Sequence, residues 1–212
     1  MSITHRIATA VLTGDDEQIP SLVAEALAAS LPAREILQDG LLAGMGQVSQ
    51  RFRDGEYFLP EVLVAADAMK AGMSVLKPQM LAENVKPHAT AVIGTVKGDL
   101  HDIGKNLLGT MLQGAGFEVI DLGVDVSAAD FIEACRAQPI QVVGLSALLT
   151  TTMPQMQVIV RKIHEALDPP PLIMIGGAPV TEDYARHIGA DGYGSDAAAG
   201  ADIARRMCFD RS

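Results

Sequence analysis

Apolar residues recur every three or four positions through the first eighty residues of the chain, the spacing of one buried helical face. Asp15 and Asp16 can cap a helix with Pro20 in its first turn and Leu22, Val23, Ala26 and Leu27 on its apolar side. Pro32 marks the next start, and Ile36, Leu37, Leu41, Leu42, Met45 and Val48 keep helical spacing up to Phe52. Arg53-Asp54-Gly55-Glu56 breaks the pattern with a glycine turn. Pro60 then opens a helix carrying Val62, Leu63, Ala66, Met69, Met73 and Leu76. Helices joined by such short turns predict a small antiparallel bundle.

Beyond the polar joint Glu83-Asn84-Val85-Lys86-Pro87-His88 the period changes. Short β-rich runs occur at Thr90–Thr95, Phe117–Leu122, Val142–Leu145 and Leu172–Ile175, with a weak fifth around Gly192-Tyr193. Helical runs alternate with them near Gly104–Gly114, Ala128–Ala137, Met153–Leu167, Thr181–His187 and Ala197–Met207. This alternation predicts an α/β fold, a parallel sheet covered by helices on both faces. Right-handed crossovers leave a flavodoxin-like (Rossmann-like), doubly wound five-stranded sheet of order 2-1-3-4-5. The expected division is a helical domain over 1–86 and an α/β domain over 87–212.

Composition narrows the functional classes. The 212 residues are 49 % hydrophobic, enough for a core, yet only 4 % aromatic and without tryptophan, so that core is aliphatic. A formal charge of −10 and the lack of a long Lys/Arg run argue against a nucleic-acid surface or an anionic-membrane anchor. No apolar run approaches about 18 residues, and no basic start precedes an apolar stretch, so the expectation is a cytoplasmic protein. Cys135 and Cys208 form no CxxC and suggest no disulfide framework.

In a sheet of this order the ligand crevice lies beyond the carboxyl ends of strands one and three. The loop after the first strand carries Asp99-Leu100-His101, and the loop after the third carries Ser146 and a row of hydroxyls at Thr150, Thr151 and Thr152. An aspartate can accept the proton of one imidazole nitrogen, fix the tautomer and leave the other nitrogen free as a ligand or base. The plainer alternative is a loop histidine beside a capping aspartate. His88, His164 and His187 do not stand in metal-ligand spacing with His101, so a metal held by protein side chains alone is not expected. A metal on His101 would arrive inside a cofactor that supplies the other ligands. Gly176-Gly177 after the fourth strand and Gly192-Tyr193-Gly194-Ser195-Asp196 at the fifth would let such a group approach the backbone, though each also reads as an ordinary strand-to-helix turn. There is no GxGxxG after the first strand and no GxxxxGK[ST] anywhere, which leaves dinucleotide and nucleotide phosphate cradles unsupported.

Asp99-x-His101-x-x-Gly104, Ser146-x-Leu148 and Gly176-Gly177 together resemble the cobalamin-binding pattern D-x-H-x-x-G … S-x-L … G-G. The strings GDLHDIGKN, GLSALLTTTMPQM and IGGAPV are similar to the cobalamin domain of methionine synthase and, more closely, to the corrinoid proteins of methyltransferase systems. GMGQVSQRFRDGEYFLPEV resembles the helical cap domain that precedes the cobalamin domain there. The resemblance implies cobalamin (or a related corrinoid) bound base-off and His-on, its tail in a slot beside the sheet. It makes His101 the cobalt ligand, Asp99 the carboxylate that orients it, and Thr152 the hydroxyl that ends the relay, where methionine synthase has serine. Ser146 would hydrogen-bond the tail base. Leu148, Gly104, Gly176 and Gly177 would leave room for the tail, with Thr150 and Gly194 lining the same region. Phe52 and Leu59 match cap positions that cover the upper corrin face, although unaided they also read as bundle core. Gly55 and the 83–88 joint are candidates for flexibility.

The activity implied is that of a methyl carrier. A substrate-specific methyltransferase loads a methyl group onto Co(I), and a second methyltransferase passes it from methyl-Co(III) to a thiol or tetrahydrofolate; a reductive activase is a further expected partner. The chain has no predicted substrate barrel, so it reads as a cofactor-carrying subunit without a complete active site of its own. The alternatives are the cobalamin subunit of an adenosylcobalamin-dependent mutase, whose relatives lack this cap, and a cobalamin sensor or storage protein. The pattern leaves the methyl donor and the lower base open.

Overall fold

A computed structural model describes residues 1–85 and 89–209. Contacts divide the chain into two compact units, Met1–Pro87 with Gly114–Gly116 and His88–Gln113 with Phe117–Ser212. The boundary expected between residues 86 and 87, and part of the expected 83–88 joint, lie outside the described residues.

The helical unit contains α1 (Ile3–Thr13), α2 (Ile19–Ala28), α3 (Ala33–Glu35), a π-helical segment (Ile36–Leu42), α4 (Ala43–Arg53) and α5 (Leu59–Ala82). Two local expectations shift. Asp15 accepts the Gln18 N–H at 3.0 Å in the turn before α2, and Gln18 occupies the position preceding the helix, so Asp15 caps the approach and not the helix itself. The run after Pro32 is not one α-helix, because a wider turn intervenes between α3 and α4. Pro60 does sit in the first turn of α5, where its missing N–H costs nothing. Ile7, Val11, Leu22, Leu41, Val62, Ala65 and Leu76 are buried along the inner faces. Gly72 sets the approach of α5 to α2, since a Cβ there would lie 2.7 Å from Ile19 and from Leu41. Gly55 takes φ +73° in the turn before α5, a conformation that glycine adopts without strain.

The second unit is a five-stranded parallel sheet in the order β2-β1-β3-β4-β5. Its strands are β1 (Ala89–Thr95), β2 (Phe117–Asp121), β3 (Val142–Ser146), β4 (Leu172–Gly176) and β5 (Gly192–Gly194). The three central strands β1, β3 and β4 are short, largely aliphatic runs, as strands buried on both faces require. The connecting helices are α6 (Ile103–Gly114), α7 (Ala128–Ala137), α8 (Met153–Ala166) and α9 (Glu182–Ile188), with α10 (Ala197–Phe209) last. Val92, Val143, Leu145, Ile173 and Ile175 pack with Phe131, Ile159, Val160 and Ile163 in one hydrophobic core. Register pairs Thr95 with Ser146 and Ser146 with Gly176, which brings the carboxyl ends of the three central strands to one level. Among the described residues no helix is long and apolar enough to cross a membrane.

Candidate functional site

The loop after β1 is held by its own backbone and by the loop after β2. Gly98 takes φ +84°, its N–H donates to Asp125 Oδ1 at 2.7 Å, and the Asp125 N–H donates to the Asp99 carbonyl at 3.0 Å. This turn directs the Asp99 side chain inward, where it is fully buried. Its carboxylate is saturated with donors. Oδ1 accepts the His101 backbone N–H at 3.1 Å and ring Nδ1 at 2.7 Å. Oδ2 accepts the Leu148 N–H at 2.8 Å, the Leu149 N–H at 3.3 Å and the Thr152 hydroxyl at 2.7 Å. Burial would raise the Asp99 pKa, but the bonds from Thr152, His101 and Leu148 outweigh it and hold the carboxyl below the usual carboxylate range.

An ionised Asp99 can only accept, so the proton it shares with His101 sits on Nδ1. In the neutral ring Nε2 then carries the lone pair. The imidazole is 52 % exposed, and among the described residues Nε2 has no hydrogen-bond partner. Asp99, His101 and Thr152 therefore form one connected group that presents a ligand or base to the surface at the carboxyl end of the sheet. No group of three or more His, Cys, Asp or Glu side chains placed to hold a metal ion occurs among the described residues.

Beside this group lies a cleft of about 340 Å³ lined by Gly104, Ser146, Gly176, Gly177 and Gly194. The sequence pattern assigns all five to one ligand, and the fold brings them to one cavity. The glycines differ in why they are glycine. Gly177 has φ +132°, and a Cβ there would stand 1.9 Å from the Ala147 carbonyl oxygen, so the backbone itself demands it. A Cβ on Gly104 would meet nothing within 4 Å, and its φ is not positive. What glycine preserves at that position is the space of the cleft. Leu148 stands apart, donating its N–H to Asp99 while its side chain is exposed, and Thr150 is exposed and neither lines the cleft nor joins the Asp99 network. Phe52, on α4, and Leu59, the first residue of α5, are half-buried in the helical unit.

Several residues to which the sequence pattern gives no role also stand near this group. Lys105, 2 % exposed, lines the cleft, donates to Asn106 Oδ1 at 2.6 Å and pairs with Asp121 at the end of β2. Thr95 and Asp125 brace the β1 loop. Leu100, Ile103, Val124, Leu148 and Leu149 are large exposed apolar side chains, all on the segments that follow β1, β2 and β3. The exposed Nε2 of His101 offers a ligand to a metal carried within a larger group, and the glycine-lined cleft offers room for part of that group.

The B12 binding domain family matches residues 89–202, and a further B12 binding domain family matches 3–77. The trimethylamine corrinoid protein 1 of Methanosarcina mazei is 44 % identical over 191 residues, spanning 89 % of this chain and 88 % of that protein. The crystal structure of a cobalamin-binding protein from Desulfitobacterium hafniense DCB-2 superposes with a TM-score of 0.80 at 34 % identity, covering 97 % of this chain and 98 % of that one. The methanol:cobalamin methyltransferase complex of Methanosarcina barkeri contains a chain with a TM-score of 0.84 at 30 % identity, covering 97 % of this chain and 79 % of that one. The family match gives cobalamin as the cofactor. With one B12-binding match over more than half its length and relatives at 44 % identity across nearly all of it, the chain belongs to the B12-binding corrinoid proteins of methyltransferase systems.

Proposed function

We propose that this protein is a cytoplasmic methyl carrier that binds its corrinoid base-off and His-on, through His101 Nε2. The observation that carries the reading is the Nδ1-to-Asp99 bond of 2.7 Å, which turns a half-exposed Nε2 lone pair outward beside a glycine-lined cleft. When bound, the cofactor supplies a cobalt that accepts a methyl group as Co(I) and surrenders it to an acceptor. The protein's part is positional and electrostatic. Asp99 orients the ring and fixes its tautomer, and Thr152 holds Asp99 in turn. Ser146 hydrogen-bonds the tail base, and Gly104, Gly176, Gly177 and Gly194 keep the slot open. Phe52 and Leu59 act from the helical unit as the cover of the upper face.

The partners in this reading are a substrate-specific methyltransferase, a second methyltransferase acting on a thiol or tetrahydrofolate, and a reductive activase. A methylated amine is the favoured donor, because identity is 44 % to the trimethylamine corrinoid protein and 30 % to the chain of the methanol complex. The test is a methylation assay with the protein in its Co(I) form, trimethylamine and a trimethylamine methyltransferase. The wild type becomes methylated, while His101→Ala is methylated or demethylated at a rate changed by at least about tenfold. Equal rates through both half-reactions would remove His101 from the cycle.

A further inference from the structure

Thr95, the last residue of β1, is fully buried, and its hydroxyl donates to the backbone carbonyl of His101 at 2.8 Å. This bond spans six residues and closes the β1 loop on itself. Its place among the loop's other restraints gives it a distinct role. Gly98 and Asp99 are held by Asp125, and the Asp99 carboxylate by Leu148, Leu149 and Thr152. Between Asp99 and the start of α6 at Ile103 the chain has no regular structure, and the flanking side chains Leu100 and Ile103 are more than two-thirds exposed. Asp99 Oδ1 restrains His101 through ring Nδ1 and through the backbone N–H on one side of its Cα. The Thr95 bond holds the carbonyl on the other side of that Cα. With it, the His101 N–H, C=O and Nδ1 are all engaged, and among the described residues Nε2 is left as the one polar atom of His101 without a partner.

We propose that Thr95 is a positioning residue that holds His101 in the pose from which Nε2 can bind a metal. This rests on the His-on reading above. Thr95 has a second attachment that a hydroxyl-free residue would keep. Its N–H donates to the Gly123 carbonyl at 3.0 Å, and its carbonyl accepts the Val126 N–H at 2.9 Å. Thr95→Val therefore removes the hydroxyl while preserving shape and backbone pairing; Thr95→Ala is a second hydroxyl-free variant, and Thr95→Ser restores the donor.

Two readouts test the proposal on the full chain. The first is amide exchange of Leu100–Asp102 without corrinoid, expected to be roughly tenfold faster in the hydroxyl-free variants and near wild type in Thr95→Ser. The second is the electron paramagnetic resonance spectrum of the protein loaded with cob(II)alamin, in which an imidazole ligand splits the cobalt lines through its nitrogen. The ratio of nitrogen-coupled to uncoupled species is expected to fall by roughly tenfold in Thr95→Val and to recover in Thr95→Ser. Coupling in the wild type that persists unchanged in Thr95→Val and Thr95→Ala would overturn the assignment of Thr95 alone. Absence of coupling in the wild type would overturn the ligand reading of His101, and this proposal with it.

Discussion

Five donors converge on the Asp99 carboxylate, and an anion buried in this way is stable only while all of them remain. Its pKa lies below the value of an unfolded aspartate, about 4. A carboxyl depressed on folding contributes stability that is fully present above its unfolded pKa and is lost as pH falls toward its folded one. Asp99→Asn keeps the shape but loses the charge and turns an NH2 group toward N–H donors. We expect it to lower the unfolding free energy by about 2–3 kcal/mol at neutral pH, with the gap to wild type narrowing as pH drops below about 4. Denaturant unfolding across that range checks it, and a gap that does not change with pH would mean the charge of Asp99 is not what the network stabilises. The D-x-H spacing makes the Asp99–His101 pair legible in the sequence alone. Thr95 and Asp125 are not legible there, because their bonds depend on how the strand end folds against two loops, which residue types alone do not specify.

At the scale of elements, the alternation of strands and helices and the order of the sheet are readable because buried parallel strands and amphipathic helices carry different periods. Boundaries shift by a residue or two, as at β2, which stops at Asp121 and not Leu122. The π-helical turn escapes a reading by α-helical period although it leaves a trace. The apolar pairs Ile36-Leu37 and Leu41-Leu42 stand five residues apart, wider than an α-helical face provides. The glycines of the cleft make the sharpest element-level contrast. Gly104→Leu is expected to leave the melting temperature within a few degrees of wild type, since its side chain enters open space at the start of α6, yet to weaken cobalamin binding by at least about tenfold. Gly177→Ala is expected to destabilise the fold itself by about 2 kcal/mol or more, because the new Cβ meets the Ala147 carbonyl in a backbone conformation that L-residues avoid. Melting curves and a cobalamin titration on both variants separate the two causes. A Gly104→Leu protein that binds normally would show that the tail does not use this cleft.

Across the whole molecule, the proposed function assigns the two units two tasks. The α/β unit carries every residue proposed as ligand or slot for the corrinoid, from Asp99 to Gly194, while Phe52 and Leu59, proposed as its cover, reside in the helical unit. The change of period near residue 88 announces that division in the sequence. The proposed role of Phe52 and Leu59 is not written in periodicity, since both have the same spacing as core residues. The central claim joins both tasks to one atom, His101 Nε2, and the most direct measurement is the visible spectrum of the protein bound to methylcobalamin, recorded beside His101→Ala. The account predicts a wild-type spectrum of a corrinoid whose own lower base has been displaced by imidazole, and in the variant a spectrum with no lower ligand at all. Identical spectra from the two proteins would contradict it.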